Sequence, residues 1–379
     1  MGDATAWDEE KYRLSILQER AADARTVFST AFAPNSNGKT FPDVLLAASS
    51  DGTVAPYSIT ACISAYASGL SAGQRHESLT TIPEAEPLCY LQGHQGPAYD
   101  LKFFGEEDDS LLLSCGDDGR IQVWQWQEIL NSFGSGVKWG ESPLQPVLEL
   151  KNPQQKGPWG ALSPMPEANA LAIDKQGNRI FSAAGDGNAY SWDMDAGKIT
   201  MTFKGHSDYL HCIVARPSQN QVLTGSEDGT ARIWDCRNGH CIAILDPFRA
   251  TKITKHSNKM SPWVSCMALD PTQNWLACGS GGGCLTLWSL PGFNAIIRIA
   301  ACAPPQDVII ANNQIVAVGA QPLLSRFSFG GKVLSQVNCA PSSAYSLEVH
   351  NSGVTAVGGY GGLIDLISDF SSHLCVFRC

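Results

Sequence analysis

The sequence predicts an all-β fold, a seven-bladed β-propeller preceded by an amphipathic helix. Two-strand units joined by tight turns recur seven times along the chain, a repetition typical of propellers. The run before each turn is rich in small and β-branched residues, which pack well near a crowded central axis. Charged residues make up only 16% of the chain, well below the roughly 25% of ordinary soluble domains, and this balance favours strands and turns.

The turns between paired strands carry the repeat. A tight hairpin turn needs a positive φ at its central residues, which Asp and Gly tolerate. The predicted turn centres are Asp51-Gly52, Asp118-Gly119, Asp186-Gly187, Asp228-Gly229, Gly281-Gly282, Ala320-Gln321 and Tyr360-Gly361. The last three depart from Asp-Gly, so blades five to seven are predicted from weaker signals.

Residues 27–379 are assigned to the propeller and residues 1–26 to a helical extension. The extension has an apolar stripe at helical spacing, formed by Leu14, Leu17, Ala21 and Ala24. A propeller has no place for this helix inside. Two alternatives follow: the helix lies across the blade edges, or its apolar face meets a partner.

Two insertions explain why the repeat is longer than usual. One covers about residues 63–87 and the other about residues 127–169. Segments of that length in a compact domain are usually functional or disordered, so partner contact and flexible decoration are both open. Whether the final strand completes blade seven alone, or an N-terminal strand helps to close it, is also open.

One repeat is complete enough to indicate a family. Gly205-His206 is followed by Trp234-Asp235, with 28 residues from His206 to Trp234, and this spacing resembles the repeat of the WD40 family. The resemblance implies a buried hydrogen-bonded tetrad that fixes strand packing within the blade. Its members here are His206, Ser226, Asp228 and Trp234. The implied role is structural.

The second repeat keeps only part of that tetrad. His94, Asp118 and Trp124 occupy the matching positions, but Gly116 stands where the hydroxyl is expected. The network of this blade is therefore predicted to be incomplete.

The complete repeat ends in a W-D-x-R box, Trp234-Asp235-Cys236-Arg237. The box resembles that of WD40 substrate receptors of cullin 4 ubiquitin ligases. That resemblance implies contact with the ligase adaptor through Trp234, Asp235 and Arg237. The same four letters also occur by chance in propellers.

A basic stretch interrupts an otherwise acidic chain. Its cationic residues are Arg249, Lys252, Lys255 and Lys259. The stretch could touch RNA phosphates, although a solvated loop between blades is the favoured interpretation. Because the formal net charge is -10, contact with RNA is expected to be indirect or weak.

No enzymatic constellation is predicted. The sequence contains neither a C-x-x-C pair nor an H-E-x-x-H motif, so we expect no metal, no cofactor and no catalytic residues. The apolar stretches are too short to cross a bilayer, and no membrane partner is expected.

Beyond the WD40 repeat, most of the chain resembles the family of THO complex subunit 6 in its plant-like form. The resemblance is strongest from about Phe203 to Pro291. That resemblance implies a non-catalytic scaffold beside coiled-coil THO subunits, acting in messenger ribonucleoprotein assembly and nuclear mRNA export. It implies a nuclear location and leaves the cytoplasm open as a second one. A further implied role is a cullin 4 receptor that negatively regulates abscisic acid signalling.

Overall fold

The described residues form seven antiparallel sheets arranged as the blades of a propeller, which confirms the predicted fold. A computed structural model describes residues 10, 13, 16, 17, 20, 24–34, 41–73, 82–105, 109–133, 143–248 and 263–379. Blade 1 comprises β1 (Val27–Phe32), β2 (Val44–Ser49) and β3 (Val54–Ser58). Blade 2 comprises β4 (Ala98–Phe104), β5 (Leu111–Gly116), β6 (Arg120–Gln125) and β7 (Leu148–Lys151).

Each of the remaining blades has four strands. Blade 3 comprises β8 (Ala168–Asp174), β9 (Arg179–Ala184), β10 (Ala189–Asp193) and β11 (Lys198–Phe203). Blade 4 comprises β12 (Leu210–Arg216), β13 (Gln221–Ser226), β14 (Ala231–Asp235) and β15 (Cys241–Leu245). Blade 5 comprises β16 (Val264–Leu269), β17 (Trp275–Ser280), β18 (Cys284–Ser289) and β19 (Asn294–Ala300).

The last two blades end the chain. Blade 6 comprises β20 (Pro305–Ala311), β21 (Gln314–Gly319), β22 (Leu323–Ser328) and β23 (Val333–Asn338). Blade 7 comprises β24 (Ala344–Val349), β25 (Val354–Gly359), β26 (Leu363–Ser368) and β27 (Ser372–Arg378). The final strand completes blade 7 from its own sequence, which answers the question of closure.

All seven predicted turn centres join the second strand of a blade to the third. In the four Asp-Gly turns, the aspartate carboxylate accepts the backbone N–H two residues later, at 2.9–3.2 Å. The glycine that follows has a φ between 67° and 85°, a region that an L side chain disfavours. Asp and Gly therefore have separate roles in the turn.

The core lies between neighbouring blades as well as within them. One buried cluster joins Leu46 of blade 1 to Leu112 and Trp124 of blade 2. Another joins Phe203 of blade 3 to Trp234 of blade 4, with ring centroids 6.0 Å apart. Because each blade buries apolar surface against the next, the ring is stabilised only when neighbours are in place.

A β-bulge occurs at the same place in every inner strand. In each blade, the pairing with the second strand shifts between the first and third residues of the inner strand. The second residue is therefore left out of the ladder. These bulge residues are Phe28, Tyr99, Asn169, His211, Ser265, Gln306 and Tyr345.

Side chains at or beside the bulges connect each blade to the next. At four junctions the third residue of an inner strand accepts the N–H of the fourth residue of the following one. The four bonds, each written as acceptor side chain and donor N–H, are Ser29 and Leu101 at 3.1 Å, Asp100 and Leu171 at 2.9 Å, Asp307 and Leu347 at 2.8 Å, and Ser346 and Thr30 at 2.8 Å.

The other three junctions reverse the direction of donation. Here the side chain of the second or third residue of an inner strand donates to the backbone carbonyl of the first residue of the next inner strand. The donors are Asn169 to Leu210 at 2.8 Å, Cys212 to Val264 at 3.9 Å and Ser265 to Pro305 at 2.6 Å. All seven junctions are therefore bridged near the central axis.

The first predicted insertion contains a helix. Helix α1 (Ile59–Gly73) follows β3 directly and packs against β27 of blade 7. Its Ile59 and Cys62 join the apolar cluster of blades 1 and 7. Residues 74–81 lie outside the described residues. The described start of this insertion therefore lies where blade 1 meets blade 7.

The second predicted insertion is only partly an insertion. It contains most of helix α2 (Trp126–Ser132) and also β7, the outer strand of blade 2. The strand was missed because its sequence, LELK, has no turn signal of its own.

Within the described part of the chain, no helix is long and apolar enough to span a membrane.

The predicted N-terminal helix falls mostly outside the described residues, as do Leu14 and Ala21 of its stripe. Leu17 and Ala24 are described, in helical conformation, and both are exposed. Where the apolar face of this helix lies stays a prediction.

Candidate functional site

The blade 4 network is a chain of hydrogen bonds from the turn to the third strand. His206 Nδ1 lies 2.7 Å from the Asp228 carboxylate, and His206 Nε2 lies 2.8 Å from Thr224 Oγ1. Trp234 Nε1 donates to the same hydroxyl oxygen at 2.8 Å. Burial is the largest influence on the His206 pKa and lowers it, which favours a neutral ring with its proton on Nδ1.

The hydroxyl of this network comes from Thr224, so the prediction of Ser226 was wrong. Thr224 and Ser226 lie on the same face of β13, but Ser226 lies at the strand end, next to the turn. Its hydroxyl donates to the Asp208 carbonyl at 3.0 Å and accepts the Asp228 N–H at 3.1 Å. Ser226 therefore holds the turn rather than bridging the imidazole and the indole.

The same shift of two residues applies in blade 2. His94 contacts Asp118 at 2.9 Å and Ser114 at 2.6 Å, so the hydroxyl is present. A Cβ at Gly116 would lie 2.5 Å from the Pro97 carbonyl oxygen and 3.0 Å from the His94 ring. The network is incomplete at its other end, because Trp124 Nε1 has no partner among the described residues.

Other blades keep fewer parts of the network. In blade 3, Trp192 donates to Ser182 at 2.9 Å. In blade 5, Cys278 occupies the place of Thr224, opposite Thr286 in the ladder, and the indole N–H of Trp288 is unpartnered within the described chain. A buried histidine that is bonded on both sides has no open edge for a substrate, so the arrangement suits strand packing rather than acid–base chemistry.

The W-D-x-R box divides into a buried and an exposed part. Trp234 is only 1% exposed and belongs to the core. The guanidinium of Arg237 donates from Nε and Nη2 to the two Asp235 carboxylate oxygens, each at 2.8 Å. These bonds lower the pKa of Asp235, and Arg237 keeps 67% of its side-chain surface accessible. Within the box, Arg237 is therefore the side chain most open to solvent, whereas Asp235 keeps only 14% of its side-chain surface accessible.

Two sequence features give no site geometry. The basic stretch with Arg249, Lys252, Lys255 and Lys259 lies outside the described residues. The second feature is the run from Gly69 to Gly73, which spells G-x-S-x-G. In hydrolases this motif forms a sharp strand-to-helix turn, whereas here it lies within helix α1.

A charged cluster lines the channel enclosed by the inner strands. Lys102 Nζ lies 3.4 Å from the Asp100 carboxylate and also interacts with Glu348 and Asp307. Enclosure by the surrounding strands raises the pKa of Asp307 and that of Glu348, each to about 7. Among the described residues, no group of three or more His, Cys, Asp or Glu side chains is arranged to hold a metal.

Comparison with known proteins agrees with this architecture. The model of the WD domain, G-beta repeat, matches residues 85–125, 197–235 and 250–289. The chain is 52% identical over its full length to THO complex subunit 6 of Arabidopsis thaliana, covering 98% of that protein. It is 29% identical to the THO complex subunit 6 homolog of Danio rerio, over 91% of this chain and 95% of the relative. It is 28% identical to the human THO complex subunit 6, over 86% of this chain and 82% of the relative.

Thr224→Val should lower the free energy of unfolding by about 1 to 3 kcal/mol, because it leaves buried polar groups of His206 and Trp234 unpaired. Urea unfolding followed by fluorescence measures this difference. Thr355→Val is the matched control, since the buried Thr355 hydroxyl has no partner in the described structure. That variant should be as stable as the parent or more so. Equal destabilisation by both variants would contradict the bridging role.

Glu348→Gln should flatten the pH dependence of stability. The folded-state pKa of Glu348 is raised to about 7, whereas an unfolded glutamate titrates near ~4.3. Between these values the folded state holds the extra proton, so stability falls as pH rises from about 4.3 to about 7 and is level above that. The loss between about pH 5 and pH 8 should be smaller in the variant, by urea midpoints. Glu128→Gln, at an exposed position of helix α2, should leave the loss unchanged.

Proposed function

We propose, from the premise that the chain belongs to the family of THO complex subunit 6, that it is a non-catalytic assembly subunit of a THO complex. The observation that carries the proposal is the 52% identity over the whole chain, covering 98% of a relative of that name. Likeness of that extent covers the surfaces of the molecule as well as its repeats. A subunit that works by protein contact needs those surfaces.

The chemistry of the propeller supports a scaffold rather than an enzyme. The His–Asp pairs of blades 2 and 4, His94–Asp118 and His206–Asp228, are buried within the blades, and each imidazole is also bonded to a hydroxyl. Such groups stabilise strand packing and have no room for a substrate. The partners proposed are therefore proteins, above all the coiled-coil subunits of the THO complex.

The proposed cellular role is messenger ribonucleoprotein assembly and mRNA export in the nucleus. The net charge of -10 opposes a broad electrostatic grip on a phosphate backbone. Contact with RNA is accordingly proposed to be indirect or weak, with other subunits supplying the basic surfaces. The protein is proposed to enter the nucleus bound to a partner that carries the import signal.

A second candidate function, as a substrate receptor of a cullin 4 ubiquitin ligase, is favoured by one specific observation. Arg237 is exposed, and its guanidinium is held by both oxygens of Asp235. A cation oriented in this way loses less conformational entropy on binding than a free side chain would. A receptor acting in abscisic acid signalling would be a second role of the same protein.

The THO proposal is tested by affinity purification of the full chain from nuclei. Other THO subunits should be recovered together with it at near-stoichiometric amounts, measured by quantitative mass spectrometry. Recovery at only the level of a mock purification would overturn the proposal.

The ligase proposal is tested by Arg237→Ala. Binding to the cullin 4 adaptor, measured by titration calorimetry with purified proteins, should weaken about tenfold or more, while THO subunits are recovered as before. Lys151→Ala is the matched control, because Lys151 is another exposed cation held by a carboxylate, at 2.8 Å from Glu149. Unchanged adaptor affinity in the Arg237 variant would count against the ligase role.

A further inference from the structure

The seven bulge residues converge on one end of the central channel. Together with Glu167 and Tyr209 they line a cavity of about 420 Å³, which we call the channel mouth. Because a bulge residue is left out of the ladder, its side chain is re-aimed away from the sheet. Every blade therefore contributes one side chain to this cavity, and the cavity exists only in the closed ring.

One side of the channel mouth is aromatic. Phe28 lies between Tyr99 and Tyr345, with ring centroids 5.5 and 5.6 Å apart and interplanar angles of 66° and 68°. These three rings are half-buried, so part of each ring faces the cavity. An aromatic face carries partial negative charge and attracts a cation.

The polar groups of the channel mouth are also arranged for a cation. Glu167 brings a carboxylate, and Gly185 leaves room for it, since a Cβ at Gly185 would lie 1.9 Å from Glu167 Oε2. None of the lining residues is Lys or Arg. The one lining imidazole, His211, is already bonded to Glu227 at 2.6 Å.

A further carboxylate lies behind the aromatic side. The Tyr99 hydroxyl donates to Asp117 at 3.0 Å, which orients that ring and adds negative charge near the cavity. Deeper in the channel, Lys102 lies beside Asp100. Because Lys102 also interacts with Glu348 and Asp307, the carboxylates of the interior already have a cation of this chain beside them, so the mouth is the position proposed for an entering cation.

We propose that the channel mouth binds a lysine or arginine side chain from a basic segment of a protein partner, holding it between the Phe28 cluster and the Glu167 carboxylate. A phosphate backbone is disfavoured there, because the carboxylates would repel it. The inference goes beyond the proposed assembly role. It rests on that role in one respect only, namely that the partner is a protein.

The experiment uses the full chain and a Gly-Ser peptide with one central arginine, and affinity is measured by ligand-observed NMR titration. Citrulline in place of arginine keeps the shape and removes the charge. The arginine peptide should bind about tenfold more tightly than the citrulline peptide, and a lysine peptide should also bind more tightly than citrulline. Equal affinity for the arginine and citrulline peptides would overturn the proposal.

Two variants locate the site. Glu167→Gln and Phe28→Leu should each reduce affinity for the arginine peptide several-fold, with unchanged melting temperature as the check on folding. Glu128→Gln, an exposed acid on helix α2, is the matched control and should bind like the parent. If neither channel-mouth variant changes the affinity, binding occurs elsewhere and the proposal fails.

A single-stranded RNA oligonucleotide provides the opposing test. RNA binding that weakens in Phe28→Leu would assign the mouth to nucleic acid and overturn the proposal. The outcome is separable from that of the THO purification. If no other THO subunits are recovered, the peptide affinities are unaffected and still test the channel mouth. If the peptides do not bind, the recovery of THO subunits is unaffected and still tests the assembly role.

Discussion

The β-bulge repeated in every inner strand is the constraint on which the rest of the propeller depends. By displacing one residue from the ladder, it frees polar backbone groups close to the axis and directs side chains sideways to the next blade. Asp100, for example, accepts an N–H from its own blade and another from blade 3. A single local irregularity thus joins the blades and also builds the wall of the channel mouth.

The sequence predicts the features that depend on local backbone chemistry. Asp-Gly turns were found because a positive φ and an Asx-type hydrogen bond demand those two residues. The bulges could not be found in this way, because their residues share no chemical type: Phe28, Asn169 and Gln306 occupy equivalent places. Their common feature is a pairing register, which appears only once two strands are aligned.

The tetrad illustrates a finer limit of sequence reasoning. His206, Asp228 and Trp234 were identified correctly as neighbours in the fold, but Thr224 was missed, since Ser226 stands closer to the turn and carries the same hydroxyl group. Choosing between two hydroxyls on one strand face requires knowing how far the indole reaches. Helix α1, which follows the third strand of blade 1, was not predicted as a helix, because its Ser-rich and Ala-rich sequence indicated only an insertion.

The absence of an exchanged strand in the described blades has a consequence for how the chain folds. Each blade is built from consecutive residues, so strand pairing within blades closes only short loops. The contact between Thr30 and Ser346, by contrast, joins residues 316 positions apart. The entropic cost of forming that long loop is concentrated in a single junction. Contacts within blades and between successive blades are thus local in sequence, as in a linear repeat array, and only the junction of blades 1 and 7 brings the two ends of the propeller together.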